Sequence, residues 1–216
     1  MNIPQVSTAE IESRINDALA ANARRIFFVY PLLYLVLGVQ SGFLTTSWSG
    51  YWSVWLVLAL LSGLRFWQHR QLRNWSTAEW RNSFALLALF HVSLWSLQVA
   101  YIVLQLGMVA TTSLWLMVTA GIAAGGASSM SPSRSQSLAF TSFALAPIVL
   151  ALLWVQTADA VAFAICGVVF FINILSIARQ QSALYRSALL DNLGLKAYAQ
   201  ALKESGRKDA LTGLFN

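Results

Sequence analysis

Charge is what this chain has least of. Only 10% of its 216 residues are Asp, Glu, Lys or Arg, where a soluble domain carries roughly 25%. The shortfall excludes a domain with an ordinary solvated surface. Cysteine is rarer still: Cys166 is the one thiol, inside an apolar run, which excludes a disulfide framework and a thiolate metal cluster. Two histidines, His69 and His91, are too few for an all-histidine metal site, so no metal ligand set and no cofactor are expected in this chain. What is abundant is apolar surface, with 57% hydrophobic residues, nine Trp and a mean hydropathy of +0.61. Apolar runs of about 20 residues recur, and runs of that length are buried in lipid.

The predicted architecture is all-α, a polytopic bundle of six transmembrane helices followed by a cytoplasmic signalling helix with coiled-coil character. The spans are placed at Ile26 to Thr45, Tyr51 to Trp67, Ser83 to Gln105, Met108 to Ala127, Leu138 to Gln156, and Ala160 to Ala178. The second is short, and Trp52, Trp55 and Trp67 are expected to anchor its ends at the interfaces. The domain plan is residues 1–25 as an amphipathic N-terminal helix, 26–178 as the membrane domain, 179–208 as the signalling helix and 209–216 as the start of a further domain.

The formal charge of +6 is read through its placement. Arg14, Arg24 and Arg25 precede the first span; Arg65, just before the end of the second span, is grouped with Arg70, Arg73 and Arg81 as the connection between the second and third; Arg134 lies between the fourth and fifth. Arg179, Arg186, Lys196, Lys203, Arg207 and Lys208 follow the sixth. The alternate connections, Thr46 to Gly50, Leu106 to Gly107 and Thr157 to Asp159, contain no base. This asymmetry puts both termini of a multi-pass membrane protein in the cytoplasm. The basic residues are thereby accounted for by topology, no recognition motif accompanies them, and nucleic acid is not an expected partner.

The first 25 residues are polar and lack the pattern of a secretory signal. Ser7 and Glu10 have capping-box spacing, and Ile11, Ile15, Leu19 and Ile26 share a helical face. Such a helix is expected to lie on the membrane surface, with contact to the C-terminal helix as the alternative. The outer connections are too short for an extracellular domain, so the signal must come through or from the membrane: a lipid-like or membrane-permeant molecule, an ion, voltage or bilayer state.

From Arg179 onward the chain is rich in Ala, Leu, Gln and Lys without proline and reads as a continuation of the last span. Leu184, Ala188, Asp191, Leu195, Tyr198 and Leu202 alternate steps of four and three, a heptad seam for a homodimer. Asp191 in the seam and Gly194 within the helix weaken it, which suits a switch rather than a permanent clamp. The alternative is a monomeric amphipathic helix.

The chain then reads Asp209, Ala210, Leu211, Thr212, Gly213, Leu214, Phe215, Asn216. Asp-x-Leu-Thr-Gly-Leu-x-Asn resembles the opening motif of the GGDEF domain of diguanylate cyclases, carried by Asp209, Leu211, Thr212, Gly213, Leu214 and Asn216. In that family the motif follows a signalling helix, and the membrane part is similar in plan to the sensory modules grouped as MASE. The resemblance implies a membrane-embedded sensory and dimerisation module that regulates a cyclase making cyclic di-GMP from two GTP. GTP and Mg2+ are implied for the catalytic domain alone. Its Gly-Gly-Asp/Glu-Glu-Phe loop and paired aspartates are not in these residues, so no catalytic residue is expected here and this chain alone is not the enzyme.

Within the membrane, His91, Trp95, Gln98, Tyr101 and Gln105 recur on one face of the third span. Polar groups at bilayer depth are costly and face the bundle interior, which makes this stripe the candidate ligand site. Asn173, on the span that leads into the tail, is added as a contact that could be felt downstream. Interhelical hydrogen bonding is the plainer role for His91, Gln98 and Asn173. Gly38 and Gly42, and the Gly121 to Ser129 stretch, are expected to be packing surfaces, with Gly125 and Gly126 possible room for a ligand tail. Pro31 and Pro147 are expected to bend their spans. Competing functions are a small transporter or channel, disfavoured by the lack of an internal repeat or an intramembrane carboxylate, and a sensor attached to a degenerate GGDEF domain or a GGDEF-phosphodiesterase fusion.

Overall fold

The structure is a computed structural model that describes residues 8–24, 26–43, 48–71 and 75–206. Ser7 of the expected capping box and the whole Asp209 to Asn216 motif lie outside the described residues. Those described contain seven helices and no strand: α1 (Thr8–Ala23), α2 (Val29–Gln40), α3 (Trp48–Arg70), α4 (Thr77–Leu106), α5 (Ala110–Ser129), α6 (Arg134–Val155) and α7 (Ala158–Gly206).

Local chemistry explains where the main helices start and stop. At the start of α4, the Ser76 hydroxyl accepts from the Glu79 N–H at 3.3 Å and the Glu79 carboxylate accepts from the Ser76 N–H at 3.1 Å, a reciprocal cap. The helix ends at Gly107, whose φ of 65° is the left-handed conformation that glycine adopts freely. α7 opens on Thr157, whose hydroxyl accepts from the Ala160 N–H at 3.3 Å, and then runs 49 residues without a break.

Among the described residues four helices, α4 to α7, are long and apolar enough to cross a membrane, against the six expected. The two shortfalls have different causes. α2 has 12 residues, about 18 Å at 1.5 Å per residue against a hydrocarbon core of about 30 Å. Its late start follows from Pro31, which sits in the first turn, where a missing N–H costs nothing; there the proline shapes a helix start instead of bending a span. α3 has 23 residues, but much of its apolar content is Trp and Tyr, and Arg65, Gln68, His69 and Arg70 fill its last turns.

α6 is the hub, packed against α4, α5 and α7, while α2 packs on α3 and α3 on α4. Hydrogen bonds pin these contacts: Ser96 Oγ donates to the Ala144 carbonyl at 2.8 Å, Ser137 Oγ to the Ala127 carbonyl at 2.8 Å, and Trp95 Nε1 to Thr119 Oγ1 at 2.9 Å. In lipid, bonds of this kind contribute about 0.6 kcal/mol each and close packing of small residues does much of the rest. Gly126 is such a place, since the Phe140 ring occupies the space a Cβ would need; Gly38 likewise admits the Tyr51 side chain. Both are contacts within one chain. The outer surface is apolar, with Leu32, Leu86, Met117, Leu150 and Ile172 exposed and Trp154 at 80%. Aliphatic outside and polar inside is the profile of helices surrounded by lipid.

α1 packs across one end of this bundle instead of lying free. Ile15 and Leu19 are buried, Asn16 Nδ2 donates to the Thr77 carbonyl at 2.8 Å, and Asn22 Nδ2 to the Ser129 carbonyl at 3.2 Å. Tyr185 of α7 donates to the Arg14 carbonyl at 3.3 Å, so α1 also touches the C-terminal helix. These bonds gather the start of α4, the end of α5 and the middle of α7 at one end of the molecule.

Among the described residues nothing covers the predicted coiled-coil seam: Leu184, Ala188, Asp191, Leu195, Tyr198 and Leu202 are all exposed in the single chain. A different stripe of α7 is spent on the protein itself: Ala178, Ser182 and Leu193 are buried, and Tyr185 and Leu189 pack against the core.

Candidate ligand site in the bundle

The third predicted span corresponds to α4, and its stripe divides. His91 and Trp95 are completely buried, Gln98 is half-buried, and Tyr101 (56% exposed) and Gln105 face outward. Asn173 is exposed on α7. The structure therefore brings His91 and Trp95 together and leaves Tyr101, Gln105 and Asn173 apart from them. Steps of four and three drift around a straight helix, so five residues of one stripe need not share a cavity.

What surrounds His91 comes from other helices. Tyr30 of α2 lies tilted on the His91 ring, with centroids 4.2 Å apart, and meets Trp95 edge-on at 5.9 Å. Trp95 and Trp115 of α5 are 5.6 Å apart, and Tyr34 stands edge-on to Trp115 at 5.4 Å and stacks on Tyr51 at 4.6 Å. The polar ends of this aromatic wall are mostly paired: Trp115 Nε1 donates to Ser41 Oγ at 3.0 Å, and Tyr51 donates to the Tyr34 carbonyl.

Beside this wall stands a residue whose role the sequence disguised. Arg65, grouped above with the topology cations and expected in a connection, is 1% exposed. The guanidinium lies over the rings of Phe27 at 5.3 Å and Phe84 at 5.6 Å. Both Tyr30 and His91 are near enough to interact with it electrostatically. Among the described residues neither its Nε, Nη1 and Nη2 nor the two His91 nitrogens have a hydrogen-bond partner. Cation–π contacts are worth about 2 kcal/mol when desolvated, which offsets only part of the cost of burying a guanidinium. An array of buried donors without an acid is equipped to hold an acceptor or an anion. The available signal was position: Arg65 falls before the end of an apolar run, not after it.

A cleft of about 200 Å3 between α2 and α5 reaches this cluster from the side, with Tyr30 as one wall and Gly121 and Gly125 as another. α5 continues through both glycines to Ser129 without a break. Of the pair expected to leave room for a ligand tail, Gly125 has open space where a Cβ would stand, as Gly121 also does, while the space at Gly126 is filled by the Phe140 ring, and the helix is not interrupted at either. No group of His, Cys, Asp and Glu able to hold a metal occurs among the described residues. Comparison with known protein families, curated proteins and solved structures gives no match.

Proposed function

We propose that this chain is the membrane sensor of a dimeric diguanylate cyclase, with its four long apolar helices crossing the membrane, both termini cytoplasmic, and a signalling helix leading to a catalytic domain beyond Asn216. The observation that carries the reading is α7, one helix from Ala158 in the apolar bundle to Gly206, just before the GGDEF-like motif. A helix of that length is a lever, because rotation at one end is rotation at the other. Its free apolar stripe of Leu184, Leu195, Tyr198 and Leu202 suits pairing with a second copy, and the polar-aromatic centre with its lateral cleft suits a lipid-like or membrane-permeant signal. Basic residues Arg14, Arg81 and Arg134 at the end where α1 closes the bundle agree with a cytoplasmic orientation for that end. The signal acts by preferring one of two arrangements of α7, and its effect is limited by its difference in affinity for them.

The test is a one-residue insertion after Gly194 in the protein with its downstream domain. At 3.6 residues per turn it rotates everything beyond it by about 100°. Cyclic di-GMP output in cells is expected to change severalfold, and a second insertion set that restores the full turn is expected to recover it. Unchanged output from normally inserted protein would overturn transmission through a rigid helix, and a downstream sequence without the Gly-Gly-Asp/Glu-Glu-Phe loop would overturn synthesis.

A further inference from the structure

A large cleft lies away from the aromatic centre, at the end of the bundle that α1 closes. It has a volume of about 910 Å3 and is walled by α1, the start of α4, the α5–α6 connection with the first turn of α6, and α7. Three arginines from three helices line it, Arg81, Arg134 and Arg186, against one acid, Glu12. Glu12 Oε1 is 3.5 Å from Arg81 Nη1, and among the described residues no acid pairs with Arg134 or Arg186. The cleft therefore carries a net positive charge contributed from separate elements, and topology requires nothing of that convergence.

The first turn of α6 faces the same space. Its N-cap residue, Ser133, makes no side-chain capping bond, so the first N–H groups and the positive end of the helix dipole are left for a ligand. A second observation at this turn is Gln136, only 9% exposed and lining the cleft. Its Nε2 donates to the Arg81 carbonyl at 3.4 Å while its Oε1 has no partner. Three guanidiniums, a helix N-terminus and an orphaned buried acceptor together match an anion that also carries a donor. Ile15 and Leu190 give the cleft an apolar flank.

The geometry points to a binding site for a hydroxyl-bearing phosphate ester, supplied either by a glycerophospholipid headgroup of the cytoplasmic leaflet or by a soluble phosphate ester. The phosphate pairs with Arg134 and Arg186 and displaces Glu12 from Arg81, and the hydroxyl donates to Gln136 Oε1 once the shielded amide turns toward the cleft. A ligand so held ties α1, α4 and α6 to α7 close to where α7 leaves the bundle. Binding stands independently of the cyclase reading; its effect on the signalling helix rests on that reading.

The test uses the 216-residue chain in phosphatidylcholine nanodiscs, with tryptophan fluorescence as the readout of thermal unfolding. One arm adds phosphatidylglycerol to the bilayer and the other adds glycerol 3-phosphate to the buffer. A saturable rise in the unfolding midpoint is expected in one arm or both, and the arm that responds identifies the source. Arg134→Gln with Arg186→Gln is expected to raise the half-saturating concentration by about tenfold or more, and Glu12→Gln to lower it. Arg179→Gln removes one positive charge from α7 outside the cleft, as Arg186→Gln does within it, and is expected to change nothing. The variants' midpoints in plain phosphatidylcholine check that each still folds. No rise in either arm would overturn the proposal, as would an equal loss in Arg179→Gln, which would reveal unspecific attraction. Because no arm measures cyclic di-GMP, failure here is separable from failure of the sensor reading.

Discussion

α4 and α7 are both long apolar helices, and hydropathy alone marks α7 as the better membrane span, yet they are used differently. In its most apolar window α4 is 50% buried within the protein, and α7 is 17% buried. α4 holds His91, Trp95 and Ser96 in the interior and is contacted by α3, α5, α6 and α1. α7 rests chiefly on α6 along small residues such as Ala160, Ala164, Ala178 and Ser182, and turns Ile165, Ile172 and Ile177 outward. One helix organises the bundle and the other lies along its edge. An edge helix packed chiefly on one neighbour costs less to rotate or slide than a central helix that fixes a polar cluster.

The sharpest way to break this comparison is truncation of matched large residues. Trp95→Ala removes a side chain packed against Tyr30, Tyr34 and Trp115 and is expected to cost about 3–5 kcal/mol. Ile172→Ala, on the exposed face of α7, is expected to stay within about 0.5 kcal/mol. Reversible unfolding in mixed micelles measures both, and equal losses would erase the distinction between centre and edge.

Neighbouring glycines give a second, smaller contrast. Gly126→Ala drives a methyl into the Phe140 ring where α5 meets α6, for an expected loss of about 1–3 kcal/mol. Gly125→Ala enters open space and is expected to leave stability unchanged or raise it by up to about 1 kcal/mol, the helix-propensity difference. The same unfolding assay separates them.

The smallest effect concerns how the two helices begin. Ser76→Ala abolishes the reciprocal cap with Glu79, an expected loss of about 1 kcal/mol, and Thr157→Ala removes the one bond to the Ala160 N–H, about 0.5 kcal/mol at the lower end for such caps. Hydrogen exchange of first-turn amides is expected to rise more in the α4 variant than in the α7 variant. The reverse order would mean that α7 depends on its start more than an edge helix should.

Much of the helical plan was legible because hydropathy and helical period act residue by residue. The buried faces of Ile15 and Leu19 in α1, the run of α7 past Arg179, and the apolar segments of α4 to α6 were all in plain view. The first two spans were misjudged for a local reason: Pro31 delays α2, and aromatic residues with Arg65 lower the apolar character of α3. The candidate site was legible only at His91 and Trp95. Its remaining members, Tyr30 and Arg65, belong to other helices, and Arg65 resembles every other arginine at the end of a span until its burial is seen.

What the sequence by itself determined is composition against position: a chain with too little charge for water, helices of membrane length, basic residues on alternate connections, and a final motif after a long helix. What only the tertiary structure decided is which side of each helix looks inward. Lipid tails are as apolar as leucine, so hydrophobicity exerts no torque on a helix already apolar all round. The rotation is set by where Gly126 admits Phe140, where Ser96 reaches the Ala144 carbonyl, and where Tyr30 lies on His91. Those are contacts between segments far apart in the chain, and they alone place an arginine in the interior and three more around a cleft.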